Sequence, residues 1–147
     1  MKEIQLVSEG PDETRALGAR LGRCLRPGDC LALRGELGAG KTTLVQGIVA
    51  GAGGDQDVRS PTFLLHSIHP GRVTIHHLDL YRLPDGVDLA SLGLDEHLEE
   101  GAAVVEWAER ATPGWYTGEV ELVLLDERRR HVRLRLPAEL AREFGRG

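Results

Sequence analysis

The chain has 147 residues, which is enough for one domain with a real hydrophobic core and too few for two domains of ordinary size. Its formal net charge is −5 and its basic residues are scattered apart from an Arg triplet at 128–130, so we expect no basic surface for tight nucleic-acid binding. No stretch reaches the apolar length of a transmembrane helix, and the first residues lack a signal-peptide pattern. We therefore expect a single cytoplasmic domain without a membrane partner.

The first segments of the chain predict an edge strand and an amphipathic helix. Residues 2–7 alternate weakly between polar and apolar side chains. Pro11 opens a segment with apolar residues at helical spacing, and Pro27-Gly28 ends it.

Residues 35–42, Gly-Glu-Leu-Gly-Ala-Gly-Lys-Thr, fit the phosphate-binding pattern G-x-x-x-x-G-K-[ST]. An apolar run at 30–33 precedes them and helically spaced apolar residues follow, which gives strand, Gly-rich loop and helix in the required order. Gly35, Gly38 and Gly40 remove Cβ atoms where such a loop wraps an anion, and the helix directs its free N–H groups at the same phosphates. The pattern predicts nucleotide binding.

Lys41 and Thr42 provide the charged and metal-binding groups of this loop. Lys41 is one of two lysines in a chain with 16 arginines, and a compact ammonium fits among phosphate oxygens where a planar guanidinium is too wide. We expect Lys41 on the β- and γ-phosphates and the Thr42 hydroxyl on Mg²⁺. No guanine-reading Asn/Thr-Lys-x-Asp motif occurs, which favours ATP.

Residues 62–68 and 73–80 predict a hairpin across Pro70-Gly71. If these two residues form the loop, paired positions sum to 141 and Thr62 lies opposite Asp79. A Thr and an Asp at one end of a sheet suit a γ-phosphate sensor beside a carboxylate near Mg²⁺.

Four histidines fall in or beside this hairpin: His66, His69, His76 and His77. They lie on alternating strand faces or in the turn, and no third convergent ligand is evident. The pattern therefore disfavours a zinc site.

The apolar run at 102–105 predicts a strand buried on both faces of a parallel sheet, with Glu106 and Trp107 at its end. P-loop enzymes carry a metal-binding or water-orienting acid at such a position, so Asp79 and Glu106 compete for one role or share it.

The remaining segments complete the predicted architecture. Residues 87–100 predict a helical crossover, 119–125 and 131–136 a second hairpin with the Arg triplet in a solvated turn, and 137–144 a terminal helix. The predicted fold class is α/β: a single-domain P-loop NTPase over residues 1–147, with a mostly parallel central sheet flanked by helices, plus antiparallel hairpin strands.

Four motifs occur in order along nearly the whole chain. They are Gly-Glu-Leu-Gly-Ala-Gly-Lys-Thr-Thr at 35–43, Ser-Pro-Thr-Phe at 60–63, His-Leu-Asp-Leu-Tyr-Arg-Leu at 77–83 and Val-Glu-Trp-Ala-Glu-Arg at 105–110. Together they resemble the TsaE (YjeE) family, the small bacterial P-loop ATPases of tRNA threonylcarbamoyladenosine biosynthesis. The resemblance weakens after about residue 112.

The resemblance implies roles for individual residues. Thr62 matches a switch-like segment, Asp79 a Walker B-type acid near the nucleotide, and Glu106 a second metal-site acid next to a functionally important Trp. Glu109 occupies a position that can approach the nucleotide. The phosphates would be held by Leu37, Gly38, Ala39, Gly40, Lys41, Thr42 and Thr43, with Thr42 also on Mg²⁺.

The resemblance further implies an ATPase, weak in isolation, that supports turnover of a TsaB–TsaD heterodimer and meets tRNA only indirectly through that complex. Two other functions stay open on the sequence. A small-molecule kinase shares the P-loop but needs an acceptor pocket and a lid, for which the chain has little spare length. A nucleotide-gated binding module would use ATP only to order a partner surface.

Overall fold

The fold is a sheet covered on both faces, seen in a computed structural model that describes residues 1–55 and 65–146. The strands are β1 Lys2–Ser8, β2 Cys30–Gly35, β3 His66–His69, β4 Thr74–Asp79, β5 Gly101–Glu106, β6 Gly118–Leu124 and β7 Arg130–Leu136. The helices are α1 Pro11–Cys24, α2 Lys41–Gly51, α3 Leu94–Glu100 and α4 Ala138–Gly145, with 3-10 turns at Leu89–Leu92 and Ala108–Arg110.

The seven strands form one sheet in the order β1-β7-β6-β2-β5-β4-β3. The central strands β6, β2, β5 and β4 are parallel. Towards the edges, β7 pairs antiparallel with β6, β1 pairs antiparallel with β7, and β3 pairs antiparallel with β4. The predicted α/β fold class is confirmed, and β1 is an edge strand as its weak alternation predicts. Since parallel strands end at the same edge, β2, β4 and β5 bring their carboxyl ends together there.

Each face of the sheet packs against its own hydrophobic layer. Helices α1, α2 and α4 cover one face, while α3 and the two 3-10 turns cover the other. All six residues of β5 are buried, and its side chains alternate between the two layers, with Val104 on the first and Val105 on the second. The unbroken apolar run in the sequence is therefore explained by burial on both sides.

Helices α1 and α2 touch backbone to backbone through glycines. A Cβ built on Gly47 would overlap the Arg15 carbonyl oxygen, and one on Gly22 would overlap that of Ile48. Only glycine permits this approach. The contact fixes α2, and with it the loop that precedes α2, against the rest of the domain.

The predicted register of the β3–β4 hairpin is wrong. His66 pairs with Leu78 and His69 with Ile75, so paired positions sum to 144. The turn does not close as a two-residue loop because its backbone bonds elsewhere: the Arg72 N–H donates to the Ala52 carbonyl at the end of α2, at 2.7 Å. The Asp79 backbone N–H donates to the carbonyl of Leu65, at 2.9 Å.

The predicted strand start at 62, and Thr62 itself, lie outside the described residues. Within the described ranges, none of the helices has the length and apolar character needed to cross a bilayer.

Candidate nucleotide-binding site

The loop between β2 and α2 has the backbone geometry of an anion cradle. Gly38 and Gly40 adopt left-handed conformations, with φ of 83° and 99°, which side chains rarely tolerate. Gly40 precedes the first residue of α2, and among the described residues no side chain caps this helix or places an acid in its first turn. The first N–H groups of α2, including those of Lys41, Thr42 and Thr43, remain available to an anion.

Lys41, Glu106 and His77 form a cluster of ionisable side chains beside this loop. Lys41 Nζ lies 3.7 Å from Glu106 Oε1, and His77 Nε2 lies 2.6 Å from Glu106 Oε2. The His77 side chain is fully buried, and that of Glu106 is 6% exposed. Three separate segments of the chain, α2, β4 and β5, thus deliver one cation, one imidazole and one carboxylate to a single point.

The surroundings of Glu106 keep its carboxyl group ionised. Burial raises the pKa of Glu106, but the hydrogen bond and charge of His77, together with the Lys41 ammonium, outweigh burial and lower the pKa overall. Mg²⁺ prefers hard oxygen ligands, so the ionised Glu106 carboxylate has the donor chemistry of the metal that the sequence predicts.

Asp79 is the neighbour of Glu106 across the parallel β4–β5 pair. The two residues are directly paired in register, and the Leu80 N–H donates to the Glu106 carbonyl at 3.1 Å. The Asp79 carboxylate is half-buried and accepts the Tyr81 backbone N–H at 3.0 Å. The structure therefore brings both predicted acids to one edge of the sheet, next to the P-loop.

An open cleft of about 320 Å³ adjoins the cluster. Its lining includes Gly35, Lys41, Trp107 and Glu109. Glu109 reaches it from the 3-10 turn after β5, where its carboxylate pairs with the Arg34 guanidinium at 3.3 Å. Glu109 therefore lines the same cleft as Lys41, and its approach to a nucleotide stays a prediction.

Trp107, which lines the cleft, is one of several exposed apolar side chains on this part of the molecule. Trp107 has a left-handed backbone, with φ of 56°, and its ring lies 4.9 Å from that of Tyr81. Leu37, at the tip of the P-loop, is 97% exposed, and Ala39 behind it is buried. A strained residue that directs an aromatic ring towards a cleft suggests a functional constraint on the ring.

Two contributors to the site are absent from the sequence-based prediction. The sequence patterns assign His77 no role of its own at the site, although its position two residues before Asp79 places both on the P-loop face of β4. Arg130, predicted to be part of a solvated turn, donates from Nε to the Ala39 carbonyl at 3.0 Å and from Nη2 to the Gly38 carbonyl at 3.3 Å. No local signal identifies Arg130, because its contact spans about 90 positions.

The histidine prediction also needs correction. His97, on α3, converges with His66 and His76, so a third histidine does meet the two from the hairpin. The sequence pattern did not reveal it because His97 comes from the crossover helix and not from the hairpin.

Comparison with known proteins places the chain among its relatives. The sequence profile described as "Threonylcarbamoyl adenosine biosynthesis protein TsaE" matches residues 8–134. The chain belongs to the TsaE family. A TsaE protein from Treponema pallidum is 35% identical over 132 residues, which cover 88% of this chain and 98% of the relative. The TsaE protein of Bacillus subtilis is 39% identical over 110 residues, 74% of this chain and 68% of the relative.

A solved structure agrees with the TsaE assignment. The crystal structure of YdiB from Bacillus subtilis superimposes with a TM-score of 0.72 at 27% sequence identity, covering 99% of this chain and 95% of YdiB. The sequence-based resemblance to the TsaE family is confirmed, and with it the mixed α/β fold.

Proposed function

We propose that this protein is a Mg²⁺-dependent ATPase of tRNA threonylcarbamoyladenosine biosynthesis, which hydrolyses ATP to support turnover of a TsaB–TsaD heterodimer. The observation that carries the proposal is the 3.7 Å contact between Lys41 Nζ and Glu106 Oε1 at the start of α2. It joins a phosphate-binding cation to an ionised acid, the two charges that phosphoryl transfer to water uses in P-loop enzymes. Membership of the TsaE family supports the connection to tRNA modification.

The proposed binding mode uses the P-loop backbone and Lys41. The N–H groups at 37–43 surround the phosphates, and the Lys41 ammonium lies against the β- and γ-oxygens. Arg130 stabilises the loop from behind by holding two of its carbonyls, which leaves the N–H side directed towards the nucleotide. Mg²⁺, when bound with ATP, would neutralise phosphate charge, and the Thr42 hydroxyl with the Glu106 and Asp79 carboxylates would hold it.

In the proposed hydrolysis, water attacks the γ-phosphorus and ADP leaves. Glu106 is the acid we favour for orienting this water or for binding the metal, because its carboxylate contacts Lys41 and is kept ionised by His77. Asp79, which is paired with Glu106 across the β4–β5 ladder, provides a second carboxylate for the same role. Thr62 is proposed as the residue that senses the γ-phosphate.

The arginines near the cleft are already engaged by other groups, so we expect the isolated protein to hydrolyse ATP slowly. Arg34 is paired with Glu109 and Glu119, at 3.3 and 3.4 Å, and Arg110 lies over the Trp107 ring, 5.3 Å from its centroid. An arginine already engaged by a carboxylate or a ring is not free to stabilise the transition state. The exposed side chains of Leu37, Tyr81 and Trp107 provide an apolar surface beside the nucleotide, which suits a partner that completes the site.

The test is ATP hydrolysis by the purified protein, alone and with TsaB–TsaD and tRNA. We expect stimulation by the complex, and we expect Lys41→Ala to abolish it because the γ-phosphate loses its cation. Equal rates with and without the partners would contradict the partner role.

Two further measurements, of phosphoryl transfer to a metabolite and of tRNA modification, separate the two alternative functions. Transfer of the phosphoryl group to a metabolite instead of water would identify a kinase. Loss of ATP hydrolysis in a Glu106→Gln variant that still supports tRNA modification would favour the nucleotide-gated binding module.

A further inference from the structure

Three histidines from three separate elements meet on the face of the sheet opposite the P-loop. His66 belongs to β3, His76 to β4 and His97 to α3. His66 pairs with Leu78, so His76 is its diagonal neighbour on the same face of the hairpin. Helix α3 then brings the His97 ring over the pair, with centroids 4.9 Å from His66 and 4.4 Å from His76. We call this group the histidine trio.

We propose that the histidine trio binds a divalent transition metal of the zinc class and thereby ties α3 to the β3–β4 hairpin. Imidazole nitrogen is a preferred ligand of Zn²⁺, Co²⁺ and Ni²⁺, whereas Mg²⁺ takes oxygen. The ligand types alone separate this site from the carboxylate and hydroxyl groups of the P-loop side.

The distances within the histidine trio suit a shared metal ion. One ring nitrogen from each histidine lies within 4.8 Å of the others, and His66 Nε2 is 2.8 Å from His76 Nδ1. With metal–nitrogen bonds of about 2.0–2.1 Å, nitrogens around a tetrahedral ion lie about 3.3 Å apart. Small rotations about the side-chain torsions would exchange the hydrogen bond between His66 and His76 for two metal bonds. Three protein ligands leave one tetrahedral position for water.

Packing fixes the rings that would act as ligands. His76 is buried, and a Cβ on Gly101 would lie only 2.9 Å from its Cδ2 atom, so no larger residue fits beside the ring. His66 and His97 are half-buried, which leaves an entry path for an ion from solvent.

A bound metal would add a connection to the edge strand β3. β3 has four residues and lies at the sheet edge, paired only with β4 among the described strands. Short edge strands depend on additional contacts for their order. A metal bond to His66 would connect β3 directly to α3.

The test is a Co²⁺ titration of the untagged, full-length protein in excess Mg²⁺, which occupies oxygen-ligand sites. We expect one Co²⁺ per chain, intense visible absorption bands typical of four-coordinate cobalt, displacement by Zn²⁺, and a higher melting temperature with Zn²⁺. His97→Ala and His66→Ala, both at half-buried positions, should each weaken Co²⁺ binding by at least about tenfold. Circular dichroism confirms that each variant is folded.

The remaining histidines provide matched controls. His69→Ala alters the same strand as His66, and His131→Ala alters β7, so both should bind Co²⁺ like the unaltered protein. Absence of the intense bands, an unchanged melting temperature, or affinities in both folded trio variants within threefold of the parent would overturn the proposal. Equal weakening by the control variants would also overturn it.

Discussion

Strand β4 carries adjacent histidines in opposite chemical settings. His77 faces the layer formed by α1 and α2 and is hydrogen-bonded to Glu106, whereas His76 faces the layer with α3 and meets two other imidazoles. Side chains alternate along a strand, so one step in sequence moves a residue from one face to the other. The two histidines therefore have partners of different kinds: a carboxylate meets His77 next to the nucleotide site, while two imidazoles meet His76 on the other face.

The largest expected effect is on ATP hydrolysis, and it distinguishes the P-loop face of the sheet from the face with the histidine trio. Glu106→Gln keeps the shape of the side chain but removes the negative charge beside Lys41 and His77. We expect ATP hydrolysis to fall by at least about 100-fold, with Co²⁺ binding at the histidine trio unchanged. Phosphate release and Co²⁺ absorption are measured on one preparation. Hydrolysis within tenfold of the parent would show that Asp79 carries the role instead.

The next effect tests how the P-loop face is built. Gly47→Ala places a methyl group against the Arg15 carbonyl and forces α1 and α2 apart, so we expect a loss of about 1–3 kcal/mol in the free energy of unfolding. Gly145→Ala, whose Cβ meets nothing within 4 Å, is the control and should change it by less than about 0.5 kcal/mol. Urea denaturation measures both. Similar values for the two variants would contradict the close helix contact.

A third prediction concerns the histidine on the P-loop face. His77→Ala removes the hydrogen bond that lowers the pKa of Glu106, so that pKa rises and the acid limb of the pH–rate profile moves to higher pH. We expect hydrolysis at neutral pH to fall by about tenfold. His77→Gln restores a donor and should recover part of the rate. A pH profile that does not move in a folded His77→Ala protein would exclude this positioning role.

The smallest expected effect is on nucleotide affinity. Arg130→Ala removes two hydrogen bonds to P-loop carbonyls. We expect ATP binding to weaken about fivefold, because a hydrogen bond of this kind contributes roughly 0.5–1.5 kcal/mol. Arg128→Ala, whose guanidinium lies beside Gly10, is the matched control from the same triplet. Calorimetric titration with ATP distinguishes them. Equal affinities would mean that the loop holds its conformation without Arg130.

The sequence predicted what local patterns encode. The P-loop, the buried run before Glu106 and the second hairpin each follow from spacing within a short segment, and the structure has them where the patterns place them. The sequence also predicts that Asp79 and Glu106 compete for one role or share it, and the structure pairs the two acids because β4 and β5 are parallel neighbours.

The rest depends on contacts between distant segments. The register of β3–β4 was mispredicted because the turn bonds to the end of α2, which no pattern within the hairpin indicates. His97 and Arg130 act on residues far away in sequence, so their roles follow only from the completed sheet. Period-two alternation does place His76 and His77 on opposite faces of β4, but the pattern cannot show which side chains contact each histidine.

The most direct test of the two-faced account is a crystal structure of the protein with Mg²⁺, a non-hydrolysable ATP analogue and Zn²⁺, with anomalous data collected at the zinc edge. The account predicts triphosphate density along residues 37–43 with Lys41 on its β- and γ-oxygens, and a zinc peak bound by His66, His76 and His97. A zinc peak between His77 and Glu106 with none at the histidine trio, or a triphosphate bound away from the P-loop, would contradict it.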